Sequence, residues 1–335
     1  MSLAPIPIAT IPGFKFGHYT DADAATGCTA IVAPQGATGG VDVRGAAPAS
    51  RETDLLRPEN TVEQAHAVVL SGGSAFGLEA ASGAARELEE RGVGLDVGVA
   101  RVPIVCSSCL FDLAFGRPDV RPSSAAGILA VRDALERDPS EPLAEGSVGA
   151  GTGATVGKLG GPERAMKAGL GARAFQLGDL QVGAVSAVNA VGNVVDPATL
   201  APIAGMRASA DSMEILDMEE AMISMAEQMT MPLDRTNTTI SCIVTNATLT
   251  KAQATKVAQM AADAYAHAIR PTHTSNDGDT IYVLASGTLD AASSASYPID
   301  LIGLVATRAL EAAICAGCTT AEGLFGLPSY QDALA

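Results

Sequence analysis

The run that starts at about residue 66, AHAVVLSGGSAFGLEAASGAARELEERG, constrains the fold most. A short apolar stretch with β-branched residues meets Gly72 and Gly73, and Ala, Leu and Glu then recur at helical spacing until Gly92. Strand, glycine-rich turn and helix in that order make an α/β unit. The alternation returns toward the C-terminus. TNTTISCIVTNATL reads as a core strand bounded by turn formers, and KAQATKVAQMAADAYAHAIR as a helix. A polar loop PTHTSNDGD, a second strand TIYVLASG and an Ala-rich helix from about Ile299 to Ala316 follow. In the middle, SSAAGILAVRDALERD reads as a capped amphipathic helix between Pro-rich surface loops. The stretch ADSMEILDMEEAMISMAEQMTMPLD carries Met213, Met218, Met222, Met225 and Met229 at mostly helical spacing and ends near Pro232. It reads as a core-facing helix with an adaptable methionine face. A chain of 335 residues can bury the core of one large α/β domain or of two smaller ones, and it shows no internal repeat.

With 21 Lys and Arg against 37 Asp and Glu, the formal charge of −16 repels phosphate backbones and anionic lipid. No Lys/Arg-rich run offsets it locally, so neither nucleic acid nor a membrane is an expected partner. The opening MSLAPIPIATIPGFKFG lacks a basic region followed by a long apolar run, which leads to the expectation of a cytoplasmic protein. Six cysteines include two C-x-x-C pairs, Cys106 with Cys109 and Cys315 with Cys318. Their flanks are apolar and lack the Gly, aromatic and basic knuckles of structural zinc sites, so buried reduced thiols are expected, with no metal and no cofactor.

Two familiar motifs fail on inspection. GGSAFG has Phe76 where a nucleophile elbow needs Gly, and GTGATVGKL has Thr152 and Leu159 where a phosphate loop needs Gly and Ser/Thr. The four histidines, His18, His66, His267 and His273, have no elbow serine to serve, which argues against a Ser-His-Asp triad. A threonine at a chain terminus is an alternative nucleophile, because its own α-amine, with a pKa of about 7.7 to 8, can act as the base. Thr238, after Asn237 and at the start of a β-branched run, is placed as a self-processing threonine would be. Taken alone, Asn-Thr-Thr before a strand reads as a capped turn, and the Asp277-Gly278-Asp279 loop as a solvated turn. Lys158 closes an eleven-residue Gly/Ala/Thr/Val-rich stretch, where a lysine sits on tight, buried backbone and is ion-paired or shifted in pKa.

In combination, these segments resemble one family. GHYTDADAATGCTAIVAPQGA, VDVRGAAPASRETDLL, VVLSGGSAFGLEAASG, VPIVCSSCLFDL, GSVGAGTGATVGK, AVNAVGNVVD, RTNTTISCIVTNA and HTSNDGDT occur in family order from about residue 17 to 280. The family is that of the L-aminopeptidase/D-esterases, the β-peptidyl aminopeptidases and the nylon-oligomer (6-aminohexanoate oligomer) hydrolase. The resemblance implies a single α/β catalytic domain, a four-layer αββα sandwich, that cuts itself into residues 1–237 and 238–335. The pieces would stay together and assemble as a homo-oligomer, a tetramer of cleaved units. It implies cleavage between Asn237 and Thr238, with Thr238 rather than Thr239 as nucleophile, Asp277 and Asp279 beside it, Lys158 under it, and Asn189 facing the substrate carbonyl. The implied substrates are short peptides, peptide amides or ω-amino-acid oligomers. Where aminopeptidase-type members have Ser and Glu, this chain has Asp277 and Asp279, which leans toward the nylon-oligomer branch. Phe111 replaces a tyrosine that serves the active site in some members, and CSSC replaces a cysteine-free run. An acyltransferase like the ornithine acetyltransferases is the runner-up, although their Lys-Gly-x-Gly-Met-Thr type junction is missing. An uncleaved binding or scaffold protein is the third reading.

Overall fold

A computed structural model describes residues 2–138, 140–228 and 237–334. Its main strands are β1 (Lys15–Asp21), β2 (Thr26–Val43), β3 (Gln64–Ser71), β4 (Val105–Cys109), β5 (Leu170–Leu177), β6 (Leu180–Asn189), β7 (Thr238–Thr245) and β8 (Thr280–Ala285). The helices used below are α1 (Glu79–Glu90), α2 (Ser124–Glu136), α3 (Met218–Glu227), α4 (Lys251–Ala261), α5 (Asp263–Ala268) and α6 (Ile299–Thr319).

β2, eighteen residues long, organises the sheet. Its first half pairs with β1 and β3, whereas residues 38–43 pair antiparallel with β8. Between the halves the register against β3 shifts, and Gly36 takes φ +79°, a left-handed conformation that bends the strand without a side-chain penalty. One ten-stranded sheet thereby folds into two layers, β1-β2-β3-β4 and β5-β6-β7-β8-β2. A core that includes Ile31, Val68, Leu70, Val185, Ile240, Val244 and Leu284 fills the space between them. α1 and α2 cover the outer face of the first layer, and α4, α5 and α6 that of the second. This is the four-layer αββα sandwich expected, its two β layers joined through β2.

The strands at 66–71, 238–245 and 280–285 and the helix after Ser74 lie where the sequence placed them. Other features differ. Ser123 makes no side-chain cap for α2; Glu79 of α1 accepts from Ser124 N and Oγ instead, both at 3.1 Å. The helix after residue 250 breaks into α4 and α5. In the methionine-rich stretch, Met213 precedes α3 and is exposed, and only Met218 is fully buried. Met222 and Met225 pack on a small cluster of Leu159, Met206 and Met218, apart from the main core, while Met229 and Pro232 lie outside the described residues. α6 has the length and apolar composition of a membrane span, but it is a core helix, two-thirds buried and packed against β5 and β6.

Side chains three apart on a strand point to opposite faces. Cys106 therefore faces the interlayer core while Cys109 faces away, so this pair cannot clamp one metal from β4. All six cysteines are free thiols; burial pushes Cys106 up to about 12 and Cys315 to about 11. Cys315 departs from the expectation of full burial and is partly exposed.

Candidate active site

Thr238 is the first residue of β7 and pairs across the antiparallel ladder with Asn189, the last of β6. The period-two alternation puts Thr238 on the face of Ile240 and Cys242, and Asn189 on that of Val185 and Ala187, so both side chains face the interlayer space. The Thr238 hydroxyl donates to the carbonyl oxygen of Asn237, the residue across the bond expected to be cut. Asn237 forms a parallel bridge with Asp277, which brings the Asp277-Gly278-Asp279 loop alongside. A Cβ on Gly278 would lie 2.9 Å from Thr238 Oγ and 2.9 Å from the Ala47 carbonyl, closer than real Cβ contacts come. Residues 44–47, just after β2, clamp this loop: Arg44 N and Gly45 N donate to the Asp279 carbonyl at 3.1 and 3.2 Å, and Ala47 N to that of Asp277 at 2.9 Å.

Neither aspartate is a solvated turn residue; Asp277 is 2% exposed and Asp279 3%. Their surroundings differ. Asp279 is saturated: Oδ1 accepts from Thr239 N at 2.8 Å, and Oδ2 from Thr272 Oγ at 3.3 Å, His273 N at 3.2 Å and His273 Nδ1 at 2.9 Å. Because an ionised carboxylate only accepts, the His273 proton facing it is assigned to Nδ1. Asp277 Oδ2 accepts from Thr274 N at 2.6 Å, while its buried Oδ1 has no hydrogen-bond partner. Burial first, and the Asp279 charge second, push the Asp277 carboxyl up to about 6.

On the opposite side, Lys158 is buried on a 3₁₀ turn, as its glycine-rich context suggested. Its Nζ donates to the Asn189 carbonyl at 2.9 Å and to Asn189 Oδ1 at 2.8 Å, where Thr155 N also donates at 3.0 Å. Asn189 Nδ2 in turn donates to the Phe111 carbonyl at 2.9 Å. With Oδ1 occupied by donors, the amide presents its NH₂ end as the donor side. All five expected residues, Thr238, Lys158, Asn189, Asp277 and Asp279, thus come together at the paired ends of β6 and β7.

Sequence reasoning missed two groups here. His273, set aside for want of an elbow serine, holds Asp279 and stacks on Tyr265, with ring centroids 5.4 Å apart and planes at 25°. Its φ of +54° is unusual for a non-glycine residue and fits a ring forced into place by its partners. Tyr265 donates to the Thr239 carbonyl at 3.0 Å, closing the loop back to β7. Asp112 is the other: a buried carboxylate that accepts from Thr26 Oγ at 2.7 Å and Gly73 N at 2.6 Å, pushed above the usual carboxylate range by burial. Its proximity to this site depends on strand order, which leaves no local sequence signal.

This architecture has counterparts among solved structures. Known structures superpose over nearly the whole chain: a Burkholderia sp. β-aminopeptidase with TM-score 0.65 and 20% identity, covering 98% of this chain and 92% of that one. An Ochrobactrum anthropi L-aminopeptidase D-Ala-esterase/amidase, described as a variant of the Ntn hydrolase fold, gives TM-score 0.67 at 17% identity, covering 98% and 90%. The profile of peptidase family S58 matches residues 7–330, and the chain belongs to that family and is a hydrolase of amide bonds. An uncharacterised aminopeptidase of Mycobacterium leprae is 40% identical, covering 96% of this chain and 92% of its own. The 6-aminohexanoate-oligomer endohydrolase of Paenarthrobacter ureafaciens is 32% identical, covering 83% and 74%.

Proposed function

We propose that the chain cuts itself between Asn237 and Thr238 and that Thr238, as the new N-terminus of residues 238–335, is the nucleophile of a single catalytic unit. The observation that carries this reading is the Thr238 hydroxyl bonded to the Asn237 carbonyl at the point where Asn189 and the Asp277–Asp279 loop converge. In processing, Thr238 Oγ attacks the Asn237 carbonyl carbon, the C–N bond breaks to give an ester, and water releases an Asn237 carboxylate and the Thr238 amine. In turnover the free amine takes the hydroxyl proton while Oγ attacks a substrate amide. The leaving amine carries a proton away, and water hydrolyses the acyl-enzyme. Asn189 Nδ2 donates to the oxyanion, a contact of the kind worth about 2.7 to 4 kcal/mol; Lys158 orients Asn189 and compensates charge. Substrates are short peptides, peptide amides or ω-amino-acid oligomers, a range supported by the names of the M. leprae and P. ureafaciens relatives. The tetramer of cleaved units and the cytoplasmic location rest on the resemblance and the composition. Intact-mass measurement of the purified protein tests the core of the proposal: two fragments meeting at residue 237 support it, and a persistent 33.7 kDa chain refutes it.

The two aspartates divide the work. Asp279, with four donors, anchors the β7 start, whereas Asp277 has an unused oxygen for the Thr238 hydroxyl proton and later for the ammonium. A carboxyl with its pKa raised to about 6 accepts a proton only above that pH. Self-cleavage should therefore rise with pH through about 6 and level off, and Asp277→Asn should abolish that rise, as read from fragment accumulation on denaturing gels between pH 4 and 8.

Loss of the His273 proton at Asp279 leaves the carboxylate three donors, so His273→Phe, which keeps a ring against Tyr265, should slow turnover and not unfold the protein. Hydrogen bonds to charged groups are worth about 1.5–3 kcal/mol, which sets the expected fall in kcat at roughly tenfold or more. An unchanged kcat beside an unchanged Tm would remove His273 from the site.

A further inference from the structure

A cavity of about 110 Å³ lies beside the site, between residues 111–115 and the loop 324–328. We propose that it is the subsite for the acyl half of the substrate, and that it selects short apolar side chains; the proposal rests on the reading of Thr238 given above.

Continuity with the nucleophile comes first. Lys158 and Thr155 line the cavity, and both donate to Asn189, the cross-strand neighbour of Thr238. Phe111, also on its wall, offers its carbonyl to Asn189 Nδ2. The cavity thus shares its wall with the hydrogen bonds that hold Asn189 opposite Thr238. The remaining walls are mostly apolar, with Phe115, Pro162 and Leu327 foremost. Asp112 is the carboxylate among them, and its oxygens already accept from Thr26 and Gly73. The volume is well below the roughly 300–1,000 Å³ of a site that encloses a whole ligand, so it holds one side chain or short acyl chain.

The outer wall is a small, held loop. Leu324 and Leu327 exchange backbone hydrogen bonds at 3.1 and 3.0 Å, and Lys167 N donates to the Pro328 carbonyl at 2.8 Å. The fully buried Lys167 Nζ also donates to the Gly151 and Ala154 carbonyls, at 3.1 and 3.0 Å, tying this wall to the segment that leads into Thr155. At the tip, Phe325 takes φ +49° and is 55% exposed, with its ring edge-on to Phe115 at 5.6 Å. A bulky aromatic held in a left-handed conformation and half in water buries little in the free protein. Against an apolar substrate group it would be covered.

The test compares kcat/KM for Ala, Leu, Phe and Lys p-nitroanilides in the wild type and two variants. The wild type is expected to prefer Leu over Lys. Leu327→Ala opens the outer wall and should raise the Phe-to-Ala ratio about tenfold or more, since even one methylene in a hydrophobic pocket commands roughly tenfold or more. Phe325→Ser alters an exposed side chain with little hold on the core; it should raise KM for the Leu substrate and leave kcat unchanged. Unaltered ratios in variants that process normally by intact mass overturn the proposal, as does a wild-type preference for the Lys substrate. If the wild-type chain itself stays whole, the reading of Thr238 falls, and this proposal with it.

Discussion

Thr238→Ala is expected to yield one uncut 33.7 kDa chain with no measurable amide hydrolysis. On the proposed mechanism, alanine removes both the attacking oxygen of self-cleavage and the hydroxyl of turnover, and knocking out the nucleophile of a concerted site typically costs on the order of 10⁴-fold or more. The control lies one residue on. Thr239 Oγ is buried without a hydrogen-bond partner, whereas its backbone N–H holds Asp279. Thr239→Val keeps the shape and that N–H and removes an unsatisfied hydroxyl, so stability should hold or rise and both fragments should still form. Intact mass and p-nitroanilide turnover read both variants. Cleavage blocked by the Thr239 change and not by the Thr238 change would move the junction by one residue.

Gly278→Ala should also be damaging, though less so, without removing any functional group. Its methyl would lie 2.9 Å from both Thr238 Oγ and the Ala47 carbonyl, so the loop, the hydroxyl or the 44–47 segment must shift. The segment is pinned by three backbone hydrogen bonds to Asp277 and Asp279, which leaves the hydroxyl and the loop to move. Misplacement of a reacting group by about 1 Å can cost about 10²-fold. Overpacking at one site typically costs about 1–3 kcal/mol, so the protein should fold, with a lowered Tm, and accumulate fragments at least about a hundredfold more slowly. Fragment formation at the wild-type rate would mean that the loop does not bear on the hydroxyl.

The strands at 66–71, 238–245 and 280–285 were legible because each is a β-branched run bounded by turn formers, and such runs are buried on both faces here. The pairing of β2 with both layers was not legible, since a long strand that bends at Gly36 looks locally like two shorter ones. The site was readable only through the resemblance. Asp277-Gly278-Asp279 has the composition of a solvated turn, and its burial follows from the 44–47 segment more than two hundred residues earlier in the chain. His273 and Asp112 gave no signal for the same reason, as each acts on a partner from a distant element or through a tertiary stack. The thiol pair at 106 and 109 could have been resolved from the alternation of a strand alone. The acyltransferase reading gains nothing from the relatives quoted, whose names are those of an aminopeptidase and an oligomer hydrolase.

The order of strands in the second layer bears on what a cut at residue 237 would mean. β7 and β8 belong to residues 238–335, yet β6 flanks one and β2 the other, and both flanking strands come from residues 1–237. Hydrolysis there severs the chain at the rim of a ladder whose rungs all persist. The two pieces are interleaved like fingers of clasped hands, and neither can leave without tearing rows of hydrogen bonds on two sides. A protein built this way can give up its covalent continuity without giving up its shape, and the one local gain is a loose amine beside a hydroxyl.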